Sequence, residues 1–263
     1  MEAFENGFRP CYLNSAYNLC DSYPKFIIEP NSVSDEDISK IKKFRSSGRV
    51  MALSWCKGQT GLYRSSQPMV GIMGGKCVED QRYFVQSGIR YVVDARPKIS
   101  ARANKLRGKG YEHPDIYTTT KIHFMGIVNI HKVKDSSDAL LNIYDREDFL
   151  IELHSSKWLK YLRYILLGAQ TVVDIIERIK SSVLVHCSDG WDRTPQITSL
   201  AQLLMDPFYR KIHGFKVLVN KEWFSFGHKF RERTAGAKQS PVFIQFLDCV
   251  HQLLVQHLSL IHI

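Results

Sequence analysis

The chain has 263 residues, 44% of them hydrophobic, and carries a formal net charge of +10 at pH 7. This length fits one large domain or two small ones, at about 100–200 residues per domain, and the hydrophobic content allows a sizeable core. The positive charge suits an acidic partner such as a membrane surface, a phosphorylated lipid or a nucleic acid. None of the common nucleic-acid-binding motifs is present, so we expect a lipid and no nucleic acid.

The cysteine pattern bears on redox chemistry and metal binding. Neither a CxxC pair nor a Cys/His metal spacing occurs among the six cysteines, which are Cys11, Cys20, Cys56, Cys77, Cys187 and Cys249. The pattern is atypical of a structural zinc site or a disulfide scaffold, and it fits a reducing cytosol. We therefore expect neither a metal nor another cofactor.

Three segments bear on targeting and membrane insertion. Residues 1–10 carry acidic and basic side chains, and they lack the apolar stretch of a signal peptide. The long apolar segments 161–179 and 242–263 are interrupted by charges, so neither is predicted to span a bilayer. Both have apolar residues at helical spacing, which favours helices that face the core.

The periodicity along the chain predicts a single α/β domain. The predicted elements are, in chain order, a helix opening at 32–41 with Ser34 as its cap, strands at 90–94 and 121–127, a surface excursion at 135–152, a long helix at 157–180, a buried strand at 182–186 and a small-residue loop at 234–240.

The loop that follows the last predicted strand is the most informative segment. It spans Cys187–Arg193, has Gly190 at its centre, and precedes apolar residues at helical spacing from Ile197 to Leu204. A loop that ends at a helix N-terminus directs backbone N–H groups and the positive end of the helix dipole to one place. That place suits a phosphate dianion.

Cys187 and Arg193 stand at the two ends of this loop. A helix N-terminus and a nearby cation lower a cysteine pKa from about 8.5 into the range of about 3.5–7.5, and an arginine can hold two phosphate oxygens at once. Cys187 is therefore the predicted nucleophile toward phosphorus, with Arg193 and the loop amides stabilising the transition state. The strand, glycine, carboxylates and helix favour this interpretation over a buried, unreactive cysteine.

Three residues of the loop region have open alternatives. Asp192, next to Arg193, is a candidate general acid for the leaving group; otherwise it caps the following helix or pairs with a local arginine. His186 either orients the loop or is a satisfied residue at the strand end. Trp191 either forms a wall of the pocket or packs the loop.

Two basic clusters lie outside the loop. Lys229 and Arg233 share a helix face if their segment is helical, since they are four residues apart, and two cations there suit a polyanionic head group. The second cluster lies within 96–109, a stretch without an acidic residue, and suits a pocket rim or an anionic membrane. A solvated face is the alternative for both clusters.

The segment Cys187–Thr194, with the sequence CSDGWDRT, resembles the signature of the myotubularins, a branch of the cysteine-based phosphatases. The other similar segments, which extend the resemblance over most of the chain, are 64–68, 94–97, 103–105, 110–112, 129–131 and 223–230. The resemblance implies an α/β, tyrosine-phosphatase-like fold with a central mixed sheet flanked by helices. It also implies removal of the 3-phosphate from phosphatidylinositol 3-phosphate and phosphatidylinositol 3,5-bisphosphate.

By this resemblance, the family's functional positions fall on particular residues of the chain. Cys187 is the nucleophile, Asp192 the acid and Arg193 the phosphate clamp. The positions that wrap the 3-phosphate, line the pocket or contact the inositol and second phosphate are Ser188, Asp189, Gly190, Trp191, Asn104, Asn129, Ile130, Lys229 and Arg233. Two of these have ordinary interpretations as well, Asn104 as a turn residue and Asn129 as a strand-end residue.

The resemblance carries expectations about domains, partners and location too. We expect the phosphatase domain at residues 1–257 and an atypical tail at 258–263, without the family's N-terminal pleckstrin-homology-type domain. The expected partners are a phosphoinositide lipid, a peripheral membrane surface and a dimer mate, at endosomal-type membranes in the cytoplasm. Two alternatives stay open: a protein tyrosine or dual-specificity phosphatase, and a non-catalytic regulator of an active relative.

Overall fold

The computed structural model describes residues 7–143 and 148–256. Its strands are β1 (Phe8–Cys11), β2 (Ile27–Pro30), β3 (Ala52–Lys57), β4 (Thr60–Ser65), β5 (Ile89–Asp94), β6 (Lys121–Phe124) and β7 (Ser182–His186). A central five-stranded sheet has the order β3-β4-β7-β5-β6, and β1 pairs with β2 in a small separate sheet. The pairing of β3 with β4 is antiparallel and the other three pairings of the central sheet are parallel, so that sheet is mixed.

Helices flank the central sheet, as the resemblance implied. They are α1 (Asp35–Phe44), α2 (Val78–Gln86), α3 (Lys98–Ala103), α4 (Ile130–Leu141), α5 (Phe149–Ser156), α6 (Trp158–Glu177), α7 (Arg193–Met205), α8 (Ile212–Val219), α9 (Phe230–Thr234) and α10 (Val242–Gln256). Among the described residues, no helix is long and apolar enough to cross a membrane.

Strand β7 shows how the two core layers form. It lies between β4 and β5, and all five of its residues are buried. Because side chains alternate along a strand, Val183 and Val185 pack with α6, α7 and α10, whereas Leu184 packs with α1 and α2 in the second layer. A strand covered on both faces needs a continuous apolar run, which is what the sequence contains.

The predicted elements are present, with differences at their ends. The Ser34 hydroxyl accepts from the Asp37 amide at 3.1 Å and caps α1. The strand predicted at 121–127 ends at Phe124, and the chain then turns through Gly126 at a φ of +71°. Residues 144–147 and the tail 258–263 lie outside the described residues.

The surface excursion predicted at 135–152 is mostly exposed in its described part, and much of that part is helical. Helix α4 extends through Leu141 and α5 begins at Phe149, and Val133 and Ser136 of α4 are buried. The Ser136 hydroxyl donates to the carbonyl oxygen of Ser156 at 2.6 Å, which joins the two helices. This stretch is rich in polar residues, so its sequence did not predict the helices or their narrow buried face.

Candidate active site

The loop between β7 and α7 carries Cys187 at the edge where the parallel strands end. Gly190 in this loop has a left-handed φ of +77°, and a Cβ there would lie 2.6 Å from the Ser65 carbonyl oxygen. Glycine is therefore required at this close approach. The resulting turn lets the Gly190 amide donate to the Cys187 sulfur at 3.3 Å.

The Cys187 thiol is buried, yet its surroundings favour the thiolate. Burial raises the pKa of this thiol, but the charge of Arg193 and the hydrogen bonds from the Thr194 side chain and the Gly190 amide together outweigh burial, so the pKa lies below its ordinary value. By contrast, burial raises the pKa of Cys11 to about 11. Since the thiolate is the reactive form of cysteine, these surroundings make Cys187 the candidate nucleophile.

A cavity of about 250 Å³ lies against Cys187. Arg193 lines it and donates to the Ile127 carbonyl oxygen and to the Ser188 hydroxyl, both at 3.2 Å. The loop, the start of α4, helix α9 and the segment after α9 all contribute side chains. The lining residues are Asn129, Ile130, Cys187, Ser188, Asp189, Trp191, Asp192, Arg193, Glu232, Arg233 and Lys238.

Three residues of the predicted site do not line this cavity. Gly190 forms the turn of the loop itself, and Asn104 donates to the Gln67 side chain at 3.0 Å on a neighbouring segment. The Lys229 ammonium lies 4.8 Å from the centre of the Trp191 ring. Lys229 directly precedes α9, which begins at Phe230 and contains Arg233, so the condition for a shared helix face is not met.

Asp192 forms an ion pair within the cavity. Its two carboxylate oxygens accept hydrogen bonds from Nε and Nη2 of Arg233, at 2.9 and 2.8 Å. It makes no side-chain cap to α7, so the capping alternative is wrong. His228 Nδ1 lies 3.4 Å from one Asp192 oxygen and donates to the Trp191 carbonyl oxygen at 2.8 Å.

Comparisons with known proteins agree with this geometry. The family model described as "Myotubularin-like phosphatase domain" matches residues 1–261. The chain belongs to this phosphatase family. It is 43% identical to myotubularin of Xenopus tropicalis over 96% of the chain and 45% of that protein.

A second relative bears on the kind of reaction in the family. The chain is 44% identical to the phosphatidylinositol-3,5-bisphosphate 3-phosphatase MTMR2 of Mus musculus, over 92% of the chain and 41% of that protein. It is 41% identical to myotubularin of Rattus norvegicus, over 95% of the chain and 45% of that protein. The chain thus spans less than half the length of these curated relatives.

Two buried arginines hold the loop from Cys187 to Arg193 in this myotubularin-like domain. Arg64 Nη2 and Arg49 Nη2 donate to the Gly190 carbonyl oxygen at 3.0 and 3.2 Å. Arg64 is in turn held by Glu222, with a contact of 2.7 Å between Nη1 and Oε2. These contacts hold the carbonyl side of Gly190, the residue whose amide donates to the Cys187 sulfur.

A buried chain of charges supports the other end of the loop. His186 Nδ1 lies 3.0 Å from the Cys187 carbonyl oxygen, and its Nε2 lies 2.9 Å from Glu112 Oε2. Arg45 links Glu112 to Asp80, with contacts of 2.7 Å to each carboxylate. Burial lowers the pKa of His186, but the charges of Glu112 and Asp94 and the hydrogen bond to Glu112 together raise it by more, so the net pKa is raised. When protonated, His186 donates at both ring nitrogens.

Sequence reasoning did not anticipate several parts of this site. Glu232 and Lys238 line the cavity, but both lie in an ordinary charged segment that carries no motif. Glu112 appeared only within a segment that resembles the family, and Arg45 was not singled out. Arg96 was assigned to a surface cluster, but it is buried and paired with Asp94 at 2.7 Å. Within 7–143 and 148–256, no His/Cys/Asp/Glu group has a metal-binding arrangement.

Proposed function

We propose that this chain is a phosphoinositide 3-phosphatase that acts on phosphatidylinositol 3-phosphate and phosphatidylinositol 3,5-bisphosphate. The observation that carries the proposal is the Cys187 thiol, whose pKa is lowered beside Arg193 at the start of α7. The family match and the name of the mouse relative support the substrate class. The cavity lining offers three cations to a phosphorylated head group, Arg193, Arg233 and Lys238, and it also carries the carboxylates of Asp189, Asp192 and Glu232.

The proposed reaction proceeds in two displacements. The Cys187 thiolate attacks phosphorus, the bond to the inositol 3-oxygen breaks, and that oxygen receives a proton from an acid. Arg193 and the loop amides hold the equatorial phosphate oxygens while charge develops there. Water then displaces sulfur from the cysteinyl-phosphate, which releases inorganic phosphate and restores the thiolate.

Asp192 is the proposed acid, and its pairing with Arg233 bears on how it acts. Both Asp192 oxygens accept hydrogen bonds from Arg233, so neither is available to the leaving group while this pair persists. We infer that Arg233 turns toward the second phosphate of the bisphosphorylated lipid, which frees an Asp192 oxygen to carry the proton. Lys229, stacked on Trp191, supplies a further positive charge beside the same loop.

The proposal extends to the setting in which the enzyme works. Its lipid substrate resides in a bilayer, so we propose a peripheral association with endosomal-type membranes on the cytoplasmic side. We also propose that the enzyme forms dimers with a second copy or with a relative. Co-localisation with an endosomal phosphoinositide marker and the mass in solution measured by light scattering test these two statements.

Substrate class is tested with two soluble phosphate esters. Inositol 1,3-bisphosphate carries the head-group chemistry, and a phosphotyrosine peptide represents protein substrates. We expect a higher kcat/KM for the inositol compound, measured by phosphate release. A higher value for the peptide would favour a protein phosphatase. If a folded sample releases phosphate from neither compound, the result would favour a non-catalytic regulator.

A further inference from the structure

The topology brings two other segments to the same edge as the catalytic loop. β4, β5 and β7 run parallel, and their last residues, Ser65, Asp94 and His186, are partners across the sheet. Residues 66–77 and 95–111 follow β4 and β5, so both emerge beside the loop. The Gln67 amide donates to the Ser188 carbonyl oxygen at 2.9 Å. The Lys109 ammonium lies 3.5 Å from Asp189.

These two segments expose large apolar side chains to solvent. Ile72 is 70% exposed and Met73 is 96% exposed, at the tip of a turn. Ile99 and Leu106, on the second segment, are 78% and 76% exposed. The turn is fastened to the second segment, because the Gly71 amide donates to the Lys109 carbonyl oxygen at 3.2 Å. The apolar residues therefore belong to one surface, which we call the apolar rim (Ile72, Met73, Ile99 and Leu106).

The charged side chains of these two segments have a single sign. Neither 66–77 nor 95–111 contains an aspartate or a glutamate. Arg96 is neutralised inside the protein by Asp94, whereas the other cations of these segments are exposed or half-buried. These cations are Lys76, Lys98, Arg102, Lys105, Arg107 and Lys109. Exposed apolar side chains among cations complement an anionic lipid surface. The apolar side chains can enter the boundary between head groups and acyl chains, and the cations can contact the head groups.

We propose that the apolar rim is a membrane-docking surface that inserts Ile72 and Met73 into an anionic bilayer. The inference rests on the proposed function, because it places the cavity over the bilayer in which a phosphoinositide resides. Insertion next to Asp189 brings the catalytic loop to the height of the head groups. The cations hold the domain there in a salt-dependent manner.

Binding to vesicles tests this surface without any enzymatic turnover. Phosphatidylcholine vesicles with and without phosphatidylserine, both free of phosphoinositide, are sedimented with the 263-residue chain. We expect the wild type to bind only the vesicles with phosphatidylserine. The double variant Ile72→Ser/Met73→Ser should bind them about tenfold more weakly, since apolar burial is lost. A wild type that does not bind these vesicles overturns the proposal.

A matched control separates insertion from a general loss of hydrophobicity. Val85 and Ile179 are 74% and 51% exposed and lie before β5 and β7, at the opposite edge of the sheet. The variant Val85→Ser/Ile179→Ser should bind like the wild type. The proposal is overturned if both double variants weaken vesicle binding equally, or if neither of them weakens it. A wild-type dimer that only Ile72→Ser/Met73→Ser dissociates would make the rim a self-association surface and would equally overturn it.

Activity on a soluble head group distinguishes this proposal from the proposed function. The Ile72→Ser/Met73→Ser variant should hydrolyse inositol 1,3-bisphosphate at the wild-type rate while losing activity on vesicles. If the wild type hydrolyses neither substrate but still binds vesicles through the rim, the proposed function fails and the docking surface stands. If both activities are intact in the variant and its binding is unchanged, the docking surface fails and the proposed function stands.

Discussion

Arg233 donates to both carboxylate oxygens of Asp192, from Nε at 2.9 Å and from Nη2 at 2.8 Å. A bidentate pair of this kind fixes the direction of both side chains as well as neutralising them. Because both residues line the cavity beside Cys187, Arg233 holds the candidate acid while offering a positive charge to a second phosphate. In the proposed function, Arg233 would therefore couple recognition of a second phosphate to the position of Asp192.

The variant Arg233→Ala tests this coupling. We expect kcat/KM for inositol 1,3,5-trisphosphate, the head group with the second phosphate, to fall about 100-fold, because a charge-assisted contact of about 1.5–3 kcal/mol is lost. The fall should be smaller for inositol 1,3-bisphosphate, which lacks that phosphate. Arg231→Ala is the control, since Arg231 is an exposed neighbour on the same short helix. Equal losses on both substrates would argue against a second-phosphate contact.

The reactivity of Cys187 should titrate below the pH of an ordinary thiol. We expect the rate of alkylation by iodoacetamide to rise with pH and to reach its midpoint below pH 9.0, the reference pKa of this thiol. Arg193→Ala should move that midpoint upward, because the guanidinium is the largest contributor that lowers the pKa. Mass spectrometry of the peptide containing Cys187 measures the rate, with Cys11 as the internal control. An unchanged midpoint in Arg193→Ala would contradict this electrostatic explanation.

The pair of His186 and Glu112 predicts a pH dependence of stability. The pKa of His186 is raised in the folded state, so its contribution is complete below the unfolded pKa of about 6.5. That contribution is lost as the pH rises through the folded value. We expect the free energy of unfolding in urea to decline over this range in the wild type and to decline less in His186→Asn. His113→Asn, at an exposed histidine, should retain the wild-type slope, and a wild-type slope in His186→Asn would contradict the prediction.

Glu222 should contribute strongly to stability although it does not line the cavity. Its carboxylate accepts from Arg64 at 2.7 Å, Ser54 at 2.6 Å and Thr198 at 2.8 Å, all inside the core. Removing one partner of a buried ion pair costs about 3–5 kcal/mol, so we expect Glu222→Leu to lower the free energy of unfolding by about that amount. Glu36→Gln, in an exposed pair with Lys40, should have little effect. Urea titration followed by circular dichroism compares the two variants.

The sequence predicted the parts of the site that depend on neighbouring residues. The loop from Cys187 to Arg193 was predictable because a buried strand, a central glycine and an apolar helix follow one another directly. The α/β fold and the long helix α6 were predictable for the same reason, since hydrophobic periodicity is a local signal. The functional roles of these residues stay predictions until activity is measured.

The remaining parts depend on contacts between distant residues. Arg45 meets Glu112 across 67 positions, and Arg233 meets Asp192 across 41 positions. No spacing rule identifies such partners from a single sequence. Arg96 was assigned to a surface cluster because lysines and arginines surround it in the sequence. It is buried instead, and it forms an ion pair with Asp94. Charge runs identify solvated faces only on average.

Phosphate release from dispersed phosphatidylinositol 3-phosphate, by the wild type and by Cys187→Ser, tests the central claim most directly. The serine hydroxyl has too high a pKa to attack phosphorus, while the phosphate-binding loop remains. We therefore expect release by the wild type only, with both proteins folded by circular dichroism. Equal release by Cys187→Ser, or no release by a folded wild type, would contradict the account of this chain as a cysteine-dependent 3-phosphatase.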